Sequence, residues 1–364
     1  MTTEKRHLVD LPRCYATTAI TIQGEPTIML ATEGEGAAYA WSGPDYSVQR
    51  TIWEGPGGTM SMVPIPGRDG EFLAIQKFFK LFQWDEAIIV WVKPQADGTF
   101  ATRQILHLPY IHRFDLFQVD DGILFLGCTL AEAKDTRDDW SRAGKAYAGV
   151  LPGDWDTPLQ VRVLKDGLFR NHGYARSAWN GRTAGLITSD EGAFAFVPPR
   201  TVAGEWAIER FMDWQISDIA ACDIDGDGEP EYATIEPWHG QYFRIYKKID
   251  GRFRKIWEHP EVSEFYHVVT GATLRGRQVF IGGCRRGTQQ LFYVQSATPS
   301  VDTAAAQHTA SPHGTTPPAA ALEAVIIDSG VGPSNIAVIN EPGRDIIVSA
   351  NREKGEAALY IIKE

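Results

Sequence analysis

Apolar residues occur along this chain in short runs, without the long helical period of an amphipathic helix. The runs are rich in β-branched and aromatic residues, and Gly, Pro and Asp separate them at close intervals. Short runs bounded by turn-forming residues are typical of β-strands. The pattern therefore predicts an all-β protein.

The runs recur as seven copies of one unit, in which two strands are joined by a turn. The seven hairpins are Thr17–Gly36, Met60–Phe78, His112–Thr129, His172–Gly192, Ile216–Gly240, His267–Gly287 and Ser334–Glu353. Their starts lie roughly 45–65 residues apart, a spacing that fits the four-stranded blades of a propeller. The repeat predicts that residues 1–364 form a single domain, a seven-bladed β-propeller of four-stranded blades.

The last repeat is one strand short, because only the segment ALYIIK follows its hairpin. The N-terminal segment His7–Pro12 resembles the outermost strands of the other repeats, and we expect it to complete the last blade and close the ring. Closure removes the exposed sheet edges that invite aggregation. Residues Ser296–Ala321 differ from the rest, since they are rich in Ala, Thr and Pro. They predict a flexible insertion between the third and fourth strands of the sixth blade.

Composition narrows the range of partners. The formal net charge is −11 and no basic run stands out, which argues against a nucleic-acid partner. No apolar run is long enough to span a membrane, and the N-terminus lacks the apolar core of a signal peptide. The four cysteines show no CxxC spacing, which favours reduced thiols. We expect a cytoplasmic protein that contacts neither nucleic acid nor membrane.

One face of the predicted ring is unusually polar. In a propeller the innermost strands begin, and the second strands end, on the face that carries the central pocket. We call these positions the rim. Four of the nine histidines map to the rim, on the neighbouring blades three to six: His112, His172, His239 and His267. A single histidine at a strand start is usually structural, but four from independent repeats predict a functional site. Imidazoles bind Zn, Fe or Mn and also act as acids and bases near neutral pH, so both roles are open.

Other rim residues are candidates by their chemistry. Lys77, Arg286 and Tyr266 join the histidines as candidate catalytic residues, because cations stabilise a carboxylate or an enolate-like intermediate. The candidate substrate-binding residues are Arg113, Asp218, Glu236, Trp238, Arg352 and Glu353. Trp238 and Tyr266 suit stacking on a sugar ring, although each is equally compatible with the core. The rim therefore predicts a pocket for a small carbohydrate.

The turn of the fifth hairpin, DIDGDGEPE, carries carboxylates at alternate positions with glycines between them. Asp223, Asp225, Asp227 and Glu231 would suit a hard cation such as Ca²⁺ or Mg²⁺. This turn lies on the face opposite the rim, so its cation would be structural. The alternative is an acidic turn that binds nothing.

The sequence DIDGDGEPE between two strands resembles the FG-GAP or VCBS-type repeat, whose members form β-propellers with cations in the hairpin loops. Seven-bladed members of this broad group include aldos-2-ulose dehydratases and rhamnosyl-glucuronate lyases. The resemblance implies a central sugar pocket in which histidines serve as metal ligands or as acid–base groups. The missing signal peptide departs from the secreted polysaccharide lyases and favours a small, imported sugar.

These expectations combine into an intracellular carbohydrate lyase or dehydratase that acts by β-elimination on a small keto- or uronic-type sugar. One of His112, His172 or His267 would be the base, with a metal or Arg286 stabilising the enolate. Two alternatives stay open. One is a glycoside hydrolase on the same scaffold with Glu236 or Glu353 as the acid, and the other is a non-catalytic ligand-binding propeller.

Overall fold

The computed structural model of the chain describes residues 2–78, 84–297 and 321–363. Across these residues there are 28 strands and two short 3₁₀ helices, at Pro44–Tyr46 and Trp84–Glu86. The strands form seven four-stranded sheets, and neighbouring strands run antiparallel. The chain is a seven-bladed β-propeller. The fold predicted from the hairpin repeat is confirmed.

The strands follow one another in chain order from blade to blade. The chain begins with β1 (Thr2–Asp10), which belongs to the last blade. Blade 1 consists of β2 (Cys14–Ile22), β3 (Glu25–Thr32), β4 (Ala38–Ser42) and β5 (Val48–Trp53). Blade 2 consists of β6 (Met62–Pro64), β7 (Phe72–Gln76), β8 (Ile88–Pro94) and β9 (Phe100–His107). Blade 3 consists of β10 (Ile111–Val119), β11 (Gly122–Thr129), β12 (Gly144–Val150) and β13 (Val161–Leu168).

The second half of the ring repeats this order. Blade 4 consists of β14 (Tyr174–Trp179), β15 (Arg182–Ser189), β16 (Gly192–Val197) and β17 (Ala207–Met212). Blade 5 consists of β18 (Asp218–Cys222), β19 (Glu231–Glu236), β20 (Tyr242–Ile249) and β21 (Arg252–Glu258). Blade 6 consists of β22 (Tyr266–Leu274), β23 (Arg277–Cys284), β24 (Leu291–Ser296) and β25 (Leu322–Asp328). Blade 7 consists of β26 (Asn335–Glu341), β27 (Arg344–Asn351) and β28 (Glu356–Lys363), with β1 as its outermost strand.

The ring is closed by the two ends of the chain. β1 pairs antiparallel with β28, from Thr2 opposite Lys363 to Asp10 opposite Glu356. An ion pair between Lys5 and Glu356 links the same two strands. The predicted closure by the N-terminal strand is confirmed, although the strand begins at Thr2 and not at His7. Closure matters because it ties the first and last residues of the rim into one rigid ring.

The hydrophobic core lies between neighbouring blades. The second strand of each blade is covered on both faces along most of its length, and β7 is buried over its full length. Such strands read as continuous apolar runs. The outermost strands meet solvent, and no residue of β21 is fully buried. Between blades 5 and 6 the core is built from Phe243, Phe280 and Phe292. This packing holds the strand ends that form the rim in fixed positions.

The predicted insertion in blade 6 has its ends where the sequence places them. β24 ends at Ser296 and β25 begins at Leu322, so the segment joins the third and fourth strands. The backbone N–H of Ala297 donates to the carbonyl of Ala321, which joins the two ends of the segment. The predicted flexibility concerns residues 298–320, which lie outside the described residues.

Two simpler expectations concern cysteines and membranes. All four cysteines are free thiols. Among the described residues, no helix has the length and apolar character needed to cross a bilayer.

Candidate functional site

A cavity of about 430 Å³ opens at the rim, and all seven blades contribute to its lining. This volume falls in the range of small-molecule sites. The lining combines imidazoles, arginines, carboxylates and large aromatic side chains: Arg13, Tyr15, Glu33, Met60, Phe78, Trp84, His112, Leu130, Arg137, Asp138, Trp140, His172, Trp238, His239, Phe265, His267, Arg285, Arg286, Arg352 and Glu353. The polar face predicted from the repeat is therefore a real concave site.

The four rim histidines meet inside this cavity. The ring of His172 lies 4.6 Å from that of His112, 4.9 Å from that of His239 and 5.4 Å from that of His267, measured between centroids. His112 and His267 are the second residues of β10 and β22, and His172 lies two residues before β14. His239 follows β19 in the connection to β20. Equivalent strand ends of neighbouring blades thus bring the four imidazoles together.

Backbone carbonyls fix the orientation of two of these rings. The Nδ1 of His267 lies 2.7 Å from the carbonyl oxygen of Ser334, and the Nδ1 of His172 lies 3.3 Å from that of Ser217. A carbonyl oxygen only accepts, so each Nδ1 carries the proton and each Nε2 keeps its lone pair. The hydroxyl of Tyr15 lies 3.3 Å from the Nε2 of His267 and donates to it. For His267 and for His172, the carbonyl belongs to the next blade. The arrangement of neighbouring blades therefore fixes the orientation of both imidazoles.

Three of the four histidines are arranged as a metal site would require. One ligand nitrogen from each of His172, His239 and His267 lies within 4.8 Å of the other two. Nitrogens about 2.1 Å from a tetrahedral zinc lie roughly 3.4 Å apart, so modest side-chain rotations would complete the site. His112 lies outside this group, and its Nδ1 is buried without a hydrogen-bond partner among the described residues. Three of the four predicted ligands are therefore grouped with the fourth imidazole beside them, and metal binding itself stays a prediction.

Burial keeps these imidazoles neutral. It lowers the pKa of all four rim histidines below the ordinary value, and that of His239 to about 3. Positive neighbours act in the same direction, and Arg285 is the largest of them for His239 and His267. Loss of solvation disfavours the imidazolium form, and nearby guanidinium groups disfavour it further. At neutral pH the cluster therefore offers lone pairs, which bind a metal or accept a proton.

Next to the imidazoles, arginines and glutamates alternate in a chain of ion pairs. Glu33 accepts from the Nε of Arg13 at 3.0 Å and from the Nε of Arg352 at 2.7 Å. Glu353 accepts from Arg352 and from Arg285, each at 2.8 Å. Burial raises the pKa of Glu33, but the bonds from Arg352 outweigh it and hold this pKa below its ordinary value. Each carboxylate is thus paired with one arginine of its own blade and with one of a neighbouring blade.

Aromatic side chains form another part of the lining. Trp238 stacks on His239 with centroids 4.0 Å apart, and Trp140 meets Trp238 edge-on at 4.9 Å. Trp84 stacks on Phe78 at 4.8 Å. We call Trp84, Trp140 and Trp238 the tryptophan wall. Trp84 and Trp140 lie in connections between strands, which the hairpin repeat does not index, and only their large apolar side chains within polar loops hint at them.

Two predicted site residues do not line the cavity. Tyr266 and His267 are neighbours on β22, and successive side chains of a strand point to opposite faces. His267 faces the cavity, so Tyr266 faces the core, where its hydroxyl lies 2.9 Å from the Nδ1 of His259. Glu236 is also turned away, and it accepts hydrogen bonds from Trp214 at 2.8 Å and from Arg244 at 2.8 Å. Both side chains serve the packing of the blades.

Three further predicted residues lie near the cavity without lining it. Arg113 is buried beneath Tyr15 and donates to its hydroxyl at 3.4 Å. Asp218 is buried with a carboxylate oxygen 3.9 Å from the Nδ1 of His172, and burial raises its pKa to about 7. The backbone N–H of Lys77 donates to the carbonyl of Gly57, and its side chain is not part of the lining. Arg113 and Asp218 therefore act on the cavity through the residues above them.

The acidic turn between β18 and β19 already holds a cation of the protein itself. The carboxylates of Asp223, Asp225 and Asp227 cluster within 4.8 Å. The Nζ of Lys247 lies 2.6 Å from Asp225, 2.8 Å from Asp227 and 2.6 Å from Glu231. Calcium or magnesium binding by the turn stays a prediction, and any metal would compete with this ammonium group.

Comparison with known proteins supports the fold alone. No protein-family model matches the sequence, and no curated protein sequence matches it. Among solved structures, the chain is similar to the Cps50 (Swd1) beta-propeller domain of Myceliophteria thermophila, with a TM-score of 0.57, 11% identity and 100% coverage of both chains. It is similar to virginiamycin B lyase of Staphylococcus aureus, with a TM-score of 0.57, 10% identity and 99% coverage of both chains. It is also similar to Sqt1 of Saccharomyces cerevisiae, with a TM-score of 0.52, 8% identity and coverage of 100% and 99%.

Proposed function

We propose that the protein is a carbohydrate lyase or dehydratase that acts by β-elimination on a small keto- or uronic-type sugar. The observation that carries this proposal is the set of neutral imidazoles from His172, His239 and His267, whose ligand nitrogens lie within 4.8 Å of one another. They share a cavity with the tryptophan wall and with several arginines. Elimination next to a carbonyl needs a base, a stabiliser of the enolate and a surface for the sugar ring, and the cavity offers all three.

The histidines would divide the work. His172, His239 and His267 would hold a divalent Zn, Fe or Mn ion, because neutral imidazoles are suitable ligands for these metals. Such an ion would supply Lewis-acid polarisation of a substrate carbonyl or carboxylate oxygen. His112 stands outside this group but lines the same cavity, and burial keeps it neutral by lowering its pKa. It is therefore our candidate for the base.

Two side chains that line the cavity, His112 and Tyr15, can account for both proton transfers of the elimination. His112 takes the proton from the carbon next to the carbonyl, and the electron pair of that C–H bond forms the new C=C bond. A metal held by the Nε2 of His267 would displace the hydrogen bond from Tyr15 and free that hydroxyl. The bond from the adjacent carbon to the leaving oxygen breaks, and the hydroxyl of Tyr15 gives its proton to that oxygen. Burial raises the pKa of Tyr15, so the hydroxyl keeps its proton until the leaving group needs it. Proton donors and acceptors placed in this way contribute about 10²–10⁴-fold to rates.

The glycoside hydrolase alternative finds less support in the cavity. Glu236 is turned away from it into a network with Trp214 and Arg244. Glu353 lines the cavity, but its carboxylate is engaged by hydrogen bonds from Arg285 and Arg352 and is not free to serve as the acid that hydrolysis needs. A propeller of the same fold is named as a lyase, so this scaffold accommodates lyase activity. A non-catalytic binding protein stays an alternative outcome of the experiment below.

The experiment combines metal analysis with an elimination assay on the protein as purified. The substrates are small uronate glycosides and 2-keto sugars, and the readout is the ultraviolet absorbance of the conjugated product. We expect stoichiometric Zn, Fe or Mn in the wild type and in His112→Gln, which should nevertheless lose at least about 100-fold in kcat. His172→Gln should lose both metal and activity. His7→Gln is the matched control, because His7 is exposed on β1. A wild type with neither transition metal nor elimination on this panel would contradict the proposal.

A further inference from the structure

The charge of the cavity differs in sign from the charge of the whole chain. Its lining contains five arginines and three acidic residues, an excess of two positive charges, in a chain of formal net charge −11. The histidines do not change this balance, since burial lowers their pKa and leaves them neutral. A cleft with charge of one sign concentrates ligands of the opposite sign. The cavity is therefore built to attract an anion.

The excess positive charge can be located. The chain of ion pairs contains Arg13, Arg285 and Arg352 against Glu33 and Glu353, so it carries one surplus charge. Arg137, Asp138 and Arg286 together carry the second surplus charge, and within the described ranges no acidic partner is found for Arg286. Arg286 is exposed at the cavity, so its guanidinium group is available to a ligand.

Arg286 is joined to the histidine cluster through one aromatic ring. Its guanidinium carbon lies 5.8 Å from the centroid of Phe265, and that of Arg285 lies 4.5 Å from the same ring. Phe265 in turn packs against His239, with centroids 4.5 Å apart. The guanidinium groups of Arg285 and Arg286 therefore both lie near the ring of Phe265, which contacts the histidine cluster.

We propose that the substrate is an acidic sugar, a uronate, whose carboxylate pairs with Arg286 beside Arg285. A guanidinium group binds a carboxylate through two parallel hydrogen bonds, which a neutral keto sugar cannot offer. The sugar ring then lies toward the tryptophan wall, where Trp140 and Trp238 line the cavity. The carbon next to the carboxylate is thereby brought to the histidine cluster, and its proton is the one that elimination removes. This inference rests on the proposed function for the sugar class and decides between its two substrate types.

The test is a binding titration on the protein as purified, followed by tryptophan fluorescence, because three tryptophans line the cavity. The probes are D-glucuronate, its methyl ester and D-glucose. We expect saturable binding of glucuronate, at least about tenfold weaker binding of the ester and of glucose, and a loss of glucuronate affinity at high salt. Arg286→Gln should weaken glucuronate binding about tenfold and leave the ester unaffected. Arg210→Gln is the control, since Arg210 is exposed on β17 and outside the cavity.

Each outcome decides the question. Equal affinities for glucuronate and glucose, no saturable response to glucuronate, or an Arg286→Gln variant that behaves like Arg210→Gln would overturn the inference. The titration needs no turnover, so its failure is distinguishable from failure of the proposed function. Glucuronate binding through Arg286 without any elimination would leave the acidic-sugar inference standing and remove the lyase. Elimination from neutral keto sugars with an unchanged Arg286→Gln variant would do the reverse.

Discussion

The two ends of the first hairpin of blade 5 carry very different charged sites. At one end, the acidic turn between β18 and β19 gathers Asp225, Asp227 and Glu231 around the ammonium group of Lys247. At the other end, β19 leads to Trp238 and His239 at the rim. The turn attracts more notice in the sequence, yet its charges are already paired within the protein. A dense cluster of charges is therefore poor evidence for a site.

The rim differs from the turn because some of its polar and charged side chains are not paired with other groups in the part of the protein that the structure describes. Arg286 meets no carboxylate in the part of the chain that the structure describes. The ligand nitrogens of His172, His239 and His267 are grouped in a buried site, where polar atoms cost free energy unless they are hydrogen-bonded or bound to a ligand. Polar and charged groups that lack a partner within the protein are available to bind a ligand. The contrast supports the proposal that the rim carries the chemistry and that the turn is structural.

The largest expected effect tests whether the rim histidines are held neutral, as the contrast requires. The pKa values of these histidines are lowered in the folded protein. Below about pH 6.5, the ordinary pKa of histidine, they are therefore protonated in the unfolded chain but stay neutral in the folded chain. Stability present above pH 6.5 is therefore lost as the pH falls. Each of the four costs about 2 kcal/mol between pH 7 and 5. Asp218 acts oppositely, because its pKa is raised to about 7 and its protonation offsets about 2 kcal/mol.

The net loss should be about 6 kcal/mol in the free energy of unfolding, measured by urea denaturation with EDTA present so that no metal contributes. Asp218→Asn should steepen the decline, since it removes the opposing group. His172→Gln should reduce the net decline by about a third, whereas His7→Gln should leave it unchanged. A stability that stays constant from pH 7 to pH 5 would show that the rim histidines are not buried in neutral form.

The second effect tests the claim that Lys247 is the cation of the turn. Lys247→Met leaves Asp225, Asp227 and the fully buried Glu231 without a counter-charge. Removing one partner from a buried ionic cluster costs about 3–5 kcal/mol, and we expect about 3 because Asp227 is half exposed. Urea denaturation is the measurement. Lys248→Met is the matched control, since Lys248 is the exposed neighbour on β20.

Calcium sharpens the same test. We expect millimolar Ca²⁺ to leave the wild type unchanged and to restore part of the stability of Lys247→Met, where the carboxylates are free to bind it. If Ca²⁺ instead stabilises the wild type and the variant is no less stable without it, the turn is a calcium site and Lys247 is incidental.

The sequence was sufficient for the fold because each blade repeats the same local signals. Turn residues and apolar runs mark every hairpin, and the short last repeat reveals the closing role of β1. The rim histidines were found because equivalent strand ends of a closed ring must converge. What the repeat cannot give is the direction of neighbouring side chains. Tyr266 and His267 are adjacent, and only the pleat of β22 decides which of them faces the cavity.

Contacts made by residues outside the hairpins could also not be predicted from the sequence. Lys247 reaches the acidic turn from β20, and no pattern within the turn announces it. Trp140 comes from the connection between β11 and β12, whose course depends on tertiary packing. The pairing of Glu353 with Arg285 across two blades follows from ring geometry alone. Residues placed by the repeat were therefore predictable, and residues placed by loops or by long side chains were not.

The smallest of these effects concerns Tyr15, whose hydroxyl lies between Arg113 at 3.4 Å and His267 at 3.3 Å. We expect Tyr15→Phe to lower kcat about 100-fold, equivalent to about 2.7 kcal/mol, with little change in KM, because the leaving oxygen loses its proton donor. Tyr46→Phe is the control, since Tyr46 donates to Glu341 away from the cavity. A substrate with an aryloxide leaving group needs no proton, so it should restore most of the rate in Tyr15→Phe. If Tyr15 has only a structural role, Tyr15→Phe should slow both substrates equally. That result would mean that the hydroxyl stabilises the fold, as Lys247 does, and takes no part in the reaction.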